Sequence, residues 1–552
     1  LQPDTLYVAM WERTRGLNRR SYGGEASGIF RSYDGGDTWT ELTEGIPTVG
    51  ARKGRIGLTI SPSRPNILYA IYATKTGSLE GLYRSNDHGE NWSRINRNGV
   101  TSVSFMWWFG KIFVDPSDAN RVYATSLNLF ESNDGAETWE RVFDMAHVDH
   151  HALAIDPENS DVLINGNDGG VNVSGDGGRT HEARPGLNNI QFYTCEIDPN
   201  NPNVIYGGAQ DNGTLKTDST ANGWRSIFGG DGFRVIVDPN NSRQVYFEAQ
   251  YGNIYASTNG GQTFYYGQTG LSGNFNWNTP LAIDPINTER VYTGSQFLFR
   301  SDSLAYEWQQ ISDTLTNPVS DQGNLLYGSI TSIDVSRIDP DIIYVGTDDG
   351  MLWVTKDGGL SYQDISTGIP DRWITSVVHD PDNKSGVFVT VSGFRFGESD
   401  SHVFYSDNFG ETWQSIGESL PDVPVNDIVI DGHLNDHIYI ATDIGVFVSG
   451  DFGEHWEILG NNVPVIPILD LDIESDSRIL LAASYGRGML SYALPVNSAS
   501  SEENINLSVD IFPNPSEGIF NLSYHSKPDK IQLFNLNGQL IRDLGLNSFV
   551  DI

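Results

Sequence analysis

One eight-residue pattern recurs along the chain and limits the folds open to it. Ser32-Tyr33-Asp34-Gly35-Gly36-Asp37-Thr38-Trp39 returns as Ser85-Asn86-Asp87-His88-Gly89-Glu90-Asn91-Trp92, and again at 132–139, 406–413 and 449–456. Weaker copies end in His181, Phe264 and Tyr362, and degenerate ones lie near Trp224 and Trp308. The interval is 53 residues from Trp39 to Trp92 and 43 from Trp413 to Trp456. Periods of this size belong to repeat architectures, in which one supersecondary unit buries its faces only against its neighbours.

A second pattern lies between the boxes. An alternating apolar stretch ends in Asp-Pro, and an apolar stretch with Tyr or a β-branched residue follows. Asp-Pro pairs begin at Asp115, Asp156, Asp198, Asp238, Asp284, Asp339 and Asp380. Alternation of period two, punctuated by Gly, Pro, Asn and Asp, predicts strands rather than helices. Each unit reads as strand A up to Asp-Pro, strand B with Val-Tyr, strand C into the box and strand D from its Trp. Four short strands per unit predict propeller blades. Eleven strand-B segments can be counted, from Leu6-Tyr7-Val8 to Ile479-Leu480-Leu481. The first unit lacks strand A and the last lacks strand D. These two gaps do not complement each other, which predicts sequence missing ahead of Leu1.

The expected fold is therefore all-β, with tandem β-propellers of four-stranded blades. Residues 1–190 are read as the C-terminal part of a first, truncated propeller. Residues 191–495 are read as a seven-bladed second one, followed by a linker at 496–506 and a truncated small β-sandwich at 507–552. A single ten-bladed ring is the alternative.

The box resembles the Asp-box, or bacterial neuraminidase (BNR) repeat, of sialidases, xyloglucan-cleaving two-propeller glycosidases and sortilin-type propellers. Longer stretches carry a narrower resemblance: His147-Val148-Asp149-His150-His151-Ala152-Leu153-Ala154-Ile155-Asp156-Pro157, Gly166-Asn167-Asp168-Gly169-Gly170-Val171, Tyr206-Gly207-Gly208-Ala209-Gln210-Asp211-Asn212-Gly213 and Gly229-Gly230-Asp231-Gly232-Phe233. They resemble a bacterial sortilin-like family labelled glycosyl hydrolase, over roughly residues 1–492. At the other end, Val509-Asp510-Ile511-Phe512-Pro513-Asn514-Pro515-Ser516-Glu517-Gly518-Ile519-Phe520 and the strand running into Asn537-Gly538 resemble the type IX secretion sorting domain of Bacteroidetes. That resemblance implies a protein secreted from, or held on the outer surface of, a Gram-negative cell, with the secretion machinery as one partner.

Charge excludes other classes. Lys+Arg number 34 and Asp+Glu 71, for a net charge of −37, which repels phosphate backbones and argues against a nucleic-acid partner. No apolar run reaches transmembrane length. The one cysteine, Cys195, rules out an intrachain disulfide or a multi-cysteine zinc site, and its apolar strand reads as core.

The Asp boxes read as structural: their Asp accepts turn N–H groups and their Trp packs between strands. Chemistry is expected on the opposite face, where strand A begins at the channel mouth. Seven residues before the Asp of six of these pairs stand Trp108, Asp149, Gln191, Asp231, Trp277 and Trp373, while the B–C turns add Asp168, Asp211, Tyr251, Asp349, Asp443 and Tyr485. Carboxylates among aromatics suit a sugar-binding cleft. Asp231, Asp149, Asp168 and Asp211 are the catalytic candidates, since an inverting glycosidase needs two carboxylates ~6.5–9.5 Å apart. Asp231 also matches, loosely, a catalytic Asp region of the xyloglucan-cleaving enzymes, whereas Asp168 and Asp211 equally read as caps of Gly-rich turns. Trp108, Trp277, Trp373, Tyr251 and Tyr485 are the substrate-binding candidates. His147, Asp149 and His151 share a face by period two and are the candidate metal ligands, against a plain hydrogen-bond network. No cofactor is called for, although the acidic loops could take calcium.

Sialidase chemistry is not supported, because its arginine cluster and Arg-Ile-Pro motif are missing. Two functions remain open on the sequence. One is a glycan-active hydrolase that cuts a polysaccharide with two Asp residues. The other is a non-catalytic extracellular propeller that binds glycan or protein.

Overall fold

A computed structural model describes residues 3–551 apart from 17–18, 96–97, 101, 218–222, 318–327, 393–400, 435, 461–464, 496–508, 513–518, 525–531, 535–539 and 544–548. The chain forms two compact units, Leu1–Leu494 and Pro495–Ile552. The larger holds eleven consecutive antiparallel sheets, nine of them four-stranded with strands in chain order. The first sheet has three strands, Leu6–Met10, Gly28–Ser32 and Thr40–Leu42, and so has the last, Ile468–Glu474, Ile479–Ser484 and Met489–Ala493. One hairpin, Thr14–Gly16 with Arg19–Ser21, is an excursion from the first sheet that the repeat did not foretell. Among the described residues helix is confined to Gly50–Arg52 and Met106–Phe109.

The tyrosine of strand B explains how sheets stack. Tyr69, Tyr123, Tyr206, Tyr246, Tyr292, Tyr344 and Tyr439 are at most 1% exposed, and each packs into an apolar cluster shared with the following sheet. A buried aromatic of this size is worth roughly 1.5–3 kcal/mol of apolar burial. The last sheet does not end the series. Leu481 and Ala483 pack with Phe192, Cys195 and Ile197 of the fifth sheet. Sheets five to eleven thus form a run of seven whose last member packs on its first. Sheets one to four follow one another in the same way, but among the described residues no buried apolar cluster joins the fourth sheet to the fifth.

The inner strands line the channel with one edge lacking a strand partner, so their outward N–H groups need acceptors. Side chains of the preceding sheet supply them. Asp334 Oδ2 accepts from the N–H of His379 at 2.7 Å, Asp427 Oδ2 from Leu471 at 2.9 Å and Glu196 Oε1 from Val237 at 2.8 Å. The closing seam repeats the device, with Asp470 Oδ2 accepting from Cys195 at 2.8 Å and Asp472 Oδ2 from Ile197 at 2.6 Å. Arg234 pairs with Asp470 at 3.0 Å.

The boxes sit at the outer rim as hydrogen-bonded turns. In the third sheet Ser132 Oγ donates to Asp134 Oδ1 at 2.8 Å, which also accepts from the N–H of Thr138 at 2.9 Å. Thr138 through its hydroxyl and its N–H holds the Asp134 carboxyl down at about 2. Two successive left-handed residues close the turn, Gly135 at φ 78° and Ala136 at φ 73°, which is why glycine is frequent here. Trp456 Nε1 donates to the Ile416 carbonyl of the preceding sheet at 2.8 Å, and Trp413 Nε1 likewise to Ile365 at 2.9 Å. Trp39, on the first sheet, is 43% exposed.

The smaller unit pairs Val509–Phe512, Ile519–Tyr524 and Phe549–Asp551 in one sheet and Gln532–Phe534 with Leu540–Asp543 in another. The linker read at 496–506, the Pro513-Asn514-Pro515 turn and the Asn537-Gly538 turn lie outside the described residues.

Burial, with Asp470 beside it, pushes the Asp427 carboxyl up to about 7, and burial pushes Asp472 up to about 6. Between about pH 4, where an unfolded Asp titrates, and pH 7 the folded chain therefore binds more protons than the unfolded one, and stability falls as pH rises. Urea unfolding should show a higher midpoint at pH 5.5 than at pH 7.5, and Asp427→Asn should narrow that difference.

Candidate active site

Register brings the predicted residues together on one face. In the fourth sheet His150 pairs with Asn167, which sets Asp149 and Asp168 side by side just beyond the strands. In the fifth Phe192 pairs with Ala209, setting Gln191 beside Gln210 and its neighbour Asp211. In the sixth Gly232 pairs with Ala249, setting Asp231 beside Gln250 and its neighbour Tyr251. These ends surround a cavity of about 730 Å³ whose lining includes His147, Asp149, Asp211, Asp231, Gln250 and Trp224. A second cavity of about 380 Å³ is lined by Trp108, His151, Asp168, Gln191 and Gln210, and shares Asp211 and Asn212 with the first.

Asp149, Asp168 and Asp211 offer oxygens within 4.8 Å of one another. Burial first, then the charges of Asp168 and Asp211, push the Asp149 carboxyl up to about 6. Its Oδ1 is buried without a hydrogen-bond partner. Burial also raises Asp211, against the pull of a hydrogen bond from Gln210 Nε2 to Asp211 Oδ2 at 3.1 Å. Asp168 Oδ1 pairs with His151 Nε2 at 2.8 Å. Asp231, 8% exposed, is differently placed: Oδ1 accepts from the Asp211 N–H at 2.7 Å, and Oδ2 from Gln250 Nε2.

The predicted metal set of His147, Asp149 and His151 does not form. Asp149 adopts φ 67°, and the strand begins only at His150, so the two-residue alternation is broken between them. His147 instead spans to the fifth sheet, its Nε2 lying 2.8 Å from the Asp211 carbonyl and its Nδ1 2.9 Å from that of Val148. His150 turns inward to Asn165 Oδ1 at 2.9 Å, and burial lowers it to about 4. Among the described residues, the grouping at this site that could hold an ion is Asp149, Asp168 and Asp211; a second such group, Asp451, Glu454 and His455, lies at an Asp box.

The aromatic candidates divide. Trp277 packs edge-on to Tyr251, with centroids 4.9 Å apart, and to Phe233 at 5.3 Å, beside the sixth-sheet turn. Trp108 is 46% exposed over the second cavity, edge-on to His151. Tyr485 bridges to Gln191 at the closing seam. Trp277, Tyr251, Tyr485 and Trp373 are not among the residues lining either cavity; Trp373 stands just before the inner strand of the ninth sheet, its carbonyl taking the Ser392 N–H. Asp349 is a buried turn carboxylate serving Thr347 and Asn317, and Asp443 accepts from Asn426. Cys195 is buried in the closing seam, its thiol pushed up by burial. The sequence reading missed Gln210, Gln250 and Asn212, although Ala209-Gln210 and Ala249-Gln250 repeat at one turn position.

Residues 510–549 match the secretion system C-terminal sorting domain. A Paenibacillus xyloglucanase is 28% identical over 178 residues, a stretch that is 28% of this chain and 16% of that enzyme. Among solved structures, PorZ, a surface component of the type IX secretion system of Porphyromonas gingivalis, aligns over 100% of this chain and 76% of its own at TM-score 0.50 and 13% identity. A GH74 enzyme of Niastella koreensis aligns over 88% of this chain and 84% of its own at TM-score 0.26 and 18% identity. No helix among the described residues is long and apolar enough to cross a membrane.

Asp168→Asn removes a charge next to Asp149 and leaves its burial. A pH titration of carboxyl-labelled Asp by NMR should then find Asp149 below its value of about 6 but above that of an exposed Asp.

The propeller fold, the partial likeness to a xyloglucanase and the matched tail together describe a secreted or outer-surface propeller protein, resembling glycoside hydrolases, that carries a type IX sorting domain.

Proposed function

We propose that this chain hydrolyses a neutral polysaccharide at the paired cavities, with inversion, Asp149 acting as general acid and Asp231 as general base. The observation that carries the reading is the contrast between two carboxyls on one cavity. Asp149 is held up at about 6 without a partner on Oδ1, so at and below that pH it carries a proton to give. Asp231 meets N–H donors at both oxygens, an arrangement an ionised carboxylate accepts. An inverting pair must leave room for water, and Asp149, Asp168 and Asp211 lie too close together to supply it among themselves. Asp231 reaches the cavity from the next sheet.

Neither cavity is lined by Lys or Arg. Carboxylates and carboxamides suit sugar hydroxyls, and they repel uronate or sulfate groups. Cavities on both sides of Asp211 leave room for a chain to extend each way, which favours cutting inside a polymer. The partial likeness to a xyloglucanase supports the same substrate class.

A second reading rests on the three close oxygens and the orphaned Asp149 Oδ1: a divalent cation bound by Asp149, Asp168 and Asp211, with calcium the fitting hard ion, serving a non-catalytic glycan-binding propeller.

Reducing-end release from a panel of neutral polysaccharides decides between them. On the first reading, Asp231→Asn and Asp149→Asn each lower kcat ~10²–10⁴-fold without abolishing glycan binding. Turnover unaffected by either change sinks that assignment. On the second reading, glycan is bound without release of new ends, calorimetry detects calcium, and Asp168→Asn abolishes both.

A further inference from the structure

The residue just before the inner strand and the first residue of the next turn occupy one register position in successive sheets. In the fourth, fifth and sixth sheets that position holds Asp149 with Asp168, Gln191 with Gln210, and Asp231 with Gln250. In the ninth, tenth and eleventh sheets it holds Trp373 with Ser392, Pro424 with Asp443, and Pro467 with Tyr485, and there the contact is a backbone hydrogen bond. The fifth and sixth sheets, which face the cavities, add a side-chain hydrogen bond. Gln191 Nε2 meets Gln210 Oε1, and Gln250 Nε2 meets Asp231 Oδ2.

The geometry points to Gln250 as the positioning residue of Asp231: its carboxamide fixes the carboxylate in the rotamer that faces the cavity. This inference rests on the proposed role of Asp231. The orientation of the amide follows from its partner, since a carboxylate oxygen only accepts and the NH₂ group must face it. The turn that presents Gln250 is itself braced. Glu248, fully buried, accepts the Gly252 N–H at 2.9 Å through Oε1, and Asn253 Nδ2 donates to the Gln250 carbonyl at 2.5 Å. Asp211 N–H holds the other oxygen of Asp231, so removing Gln250 frees one oxygen and leaves one tether. Gln210 does the corresponding service for Asp211, with its Oε1 anchored by Tyr193 Oη at 2.7 Å.

Gln250→Met keeps the length of the side chain and removes the N–H. The crystal structure of this variant should show the Asp231 carboxylate rotated off the Gln250 direction, with the thermal midpoint within about 2 °C of the parent. Kinetics on the polysaccharide cut by the parent should show kcat lowered ~100-fold and KM within about twofold, the pattern of a misplaced general base. Gln250→Ala, read the same way, guards against an effect peculiar to Met. An unmoved Asp231 in both variants overturns the inference, as does a loss carried by KM alone. If the parent cuts no glycan and Asp231 still rotates, the positioning role stands and the hydrolase reading falls.

Discussion

A propeller leaves the inner edge of every blade without a strand partner, and this chain answers that constraint with side chains. Asp334, Asp427, Asp470, Asp472 and Glu196 each accept a backbone N–H from the next inner strand. A buried N–H left unmet costs about 1–3 kcal/mol, so each of these acceptors stabilises the junction it spans. The same bonds join the eleventh sheet to the fifth. Closure therefore needs no strand shared between the first and last blades, and the three-stranded last sheet is compatible with a closed ring. The cost is a crowd of acids around the channel, which Arg234 offsets in part by pairing with Asp470.

The site uses the opposite arrangement of the same residue types. On the inner edge a carboxylate is satisfied by a neighbour's backbone. At the mouth, Asp149 has passed beyond the strand, adopts a left-handed backbone and meets other carboxylates instead of N–H groups. Asp231 sits between the two situations, with one backbone and one carboxamide donor. Two Asp residues one sheet-pair apart thereby come to differ in what their oxygens meet.

Much of this was legible in the sequence. The box and the Asp-Pro pair set strand count, blade order and which residues share one face, because turn residues and period-two alternation are local properties. Stepping back from Asp-Pro found Asp149 and Asp231, since strand A has nearly constant length. The shared face expected of His147, Asp149 and His151 is not assembled for a local reason: alternation was carried through Asp149, whose φ of 67° is invisible in the letters around it. Trp373 is set apart for a different one. Equal depth in a repeat does not mean nearness, and the ninth sheet stands away from the cavities. Gln250 was passed over because a lone Gln in a turn carries no signal until register sets it against Asp231.

The missing apolar seam between the fourth and fifth sheets has a mechanical consequence. Among the described residues every other junction is glued by a buried apolar cluster, whereas here the links are polar: His147 to the Asp211 carbonyl and Asn212 to the Asp168 carbonyl. Hydrogen bonds of this kind contribute about 0.5–1.5 kcal/mol each, well below the worth of a packed core. The groove that holds the carboxylates thus lies where the two runs of sheets meet through polar contacts, so a change in their spacing costs hydrogen bonds rather than core packing.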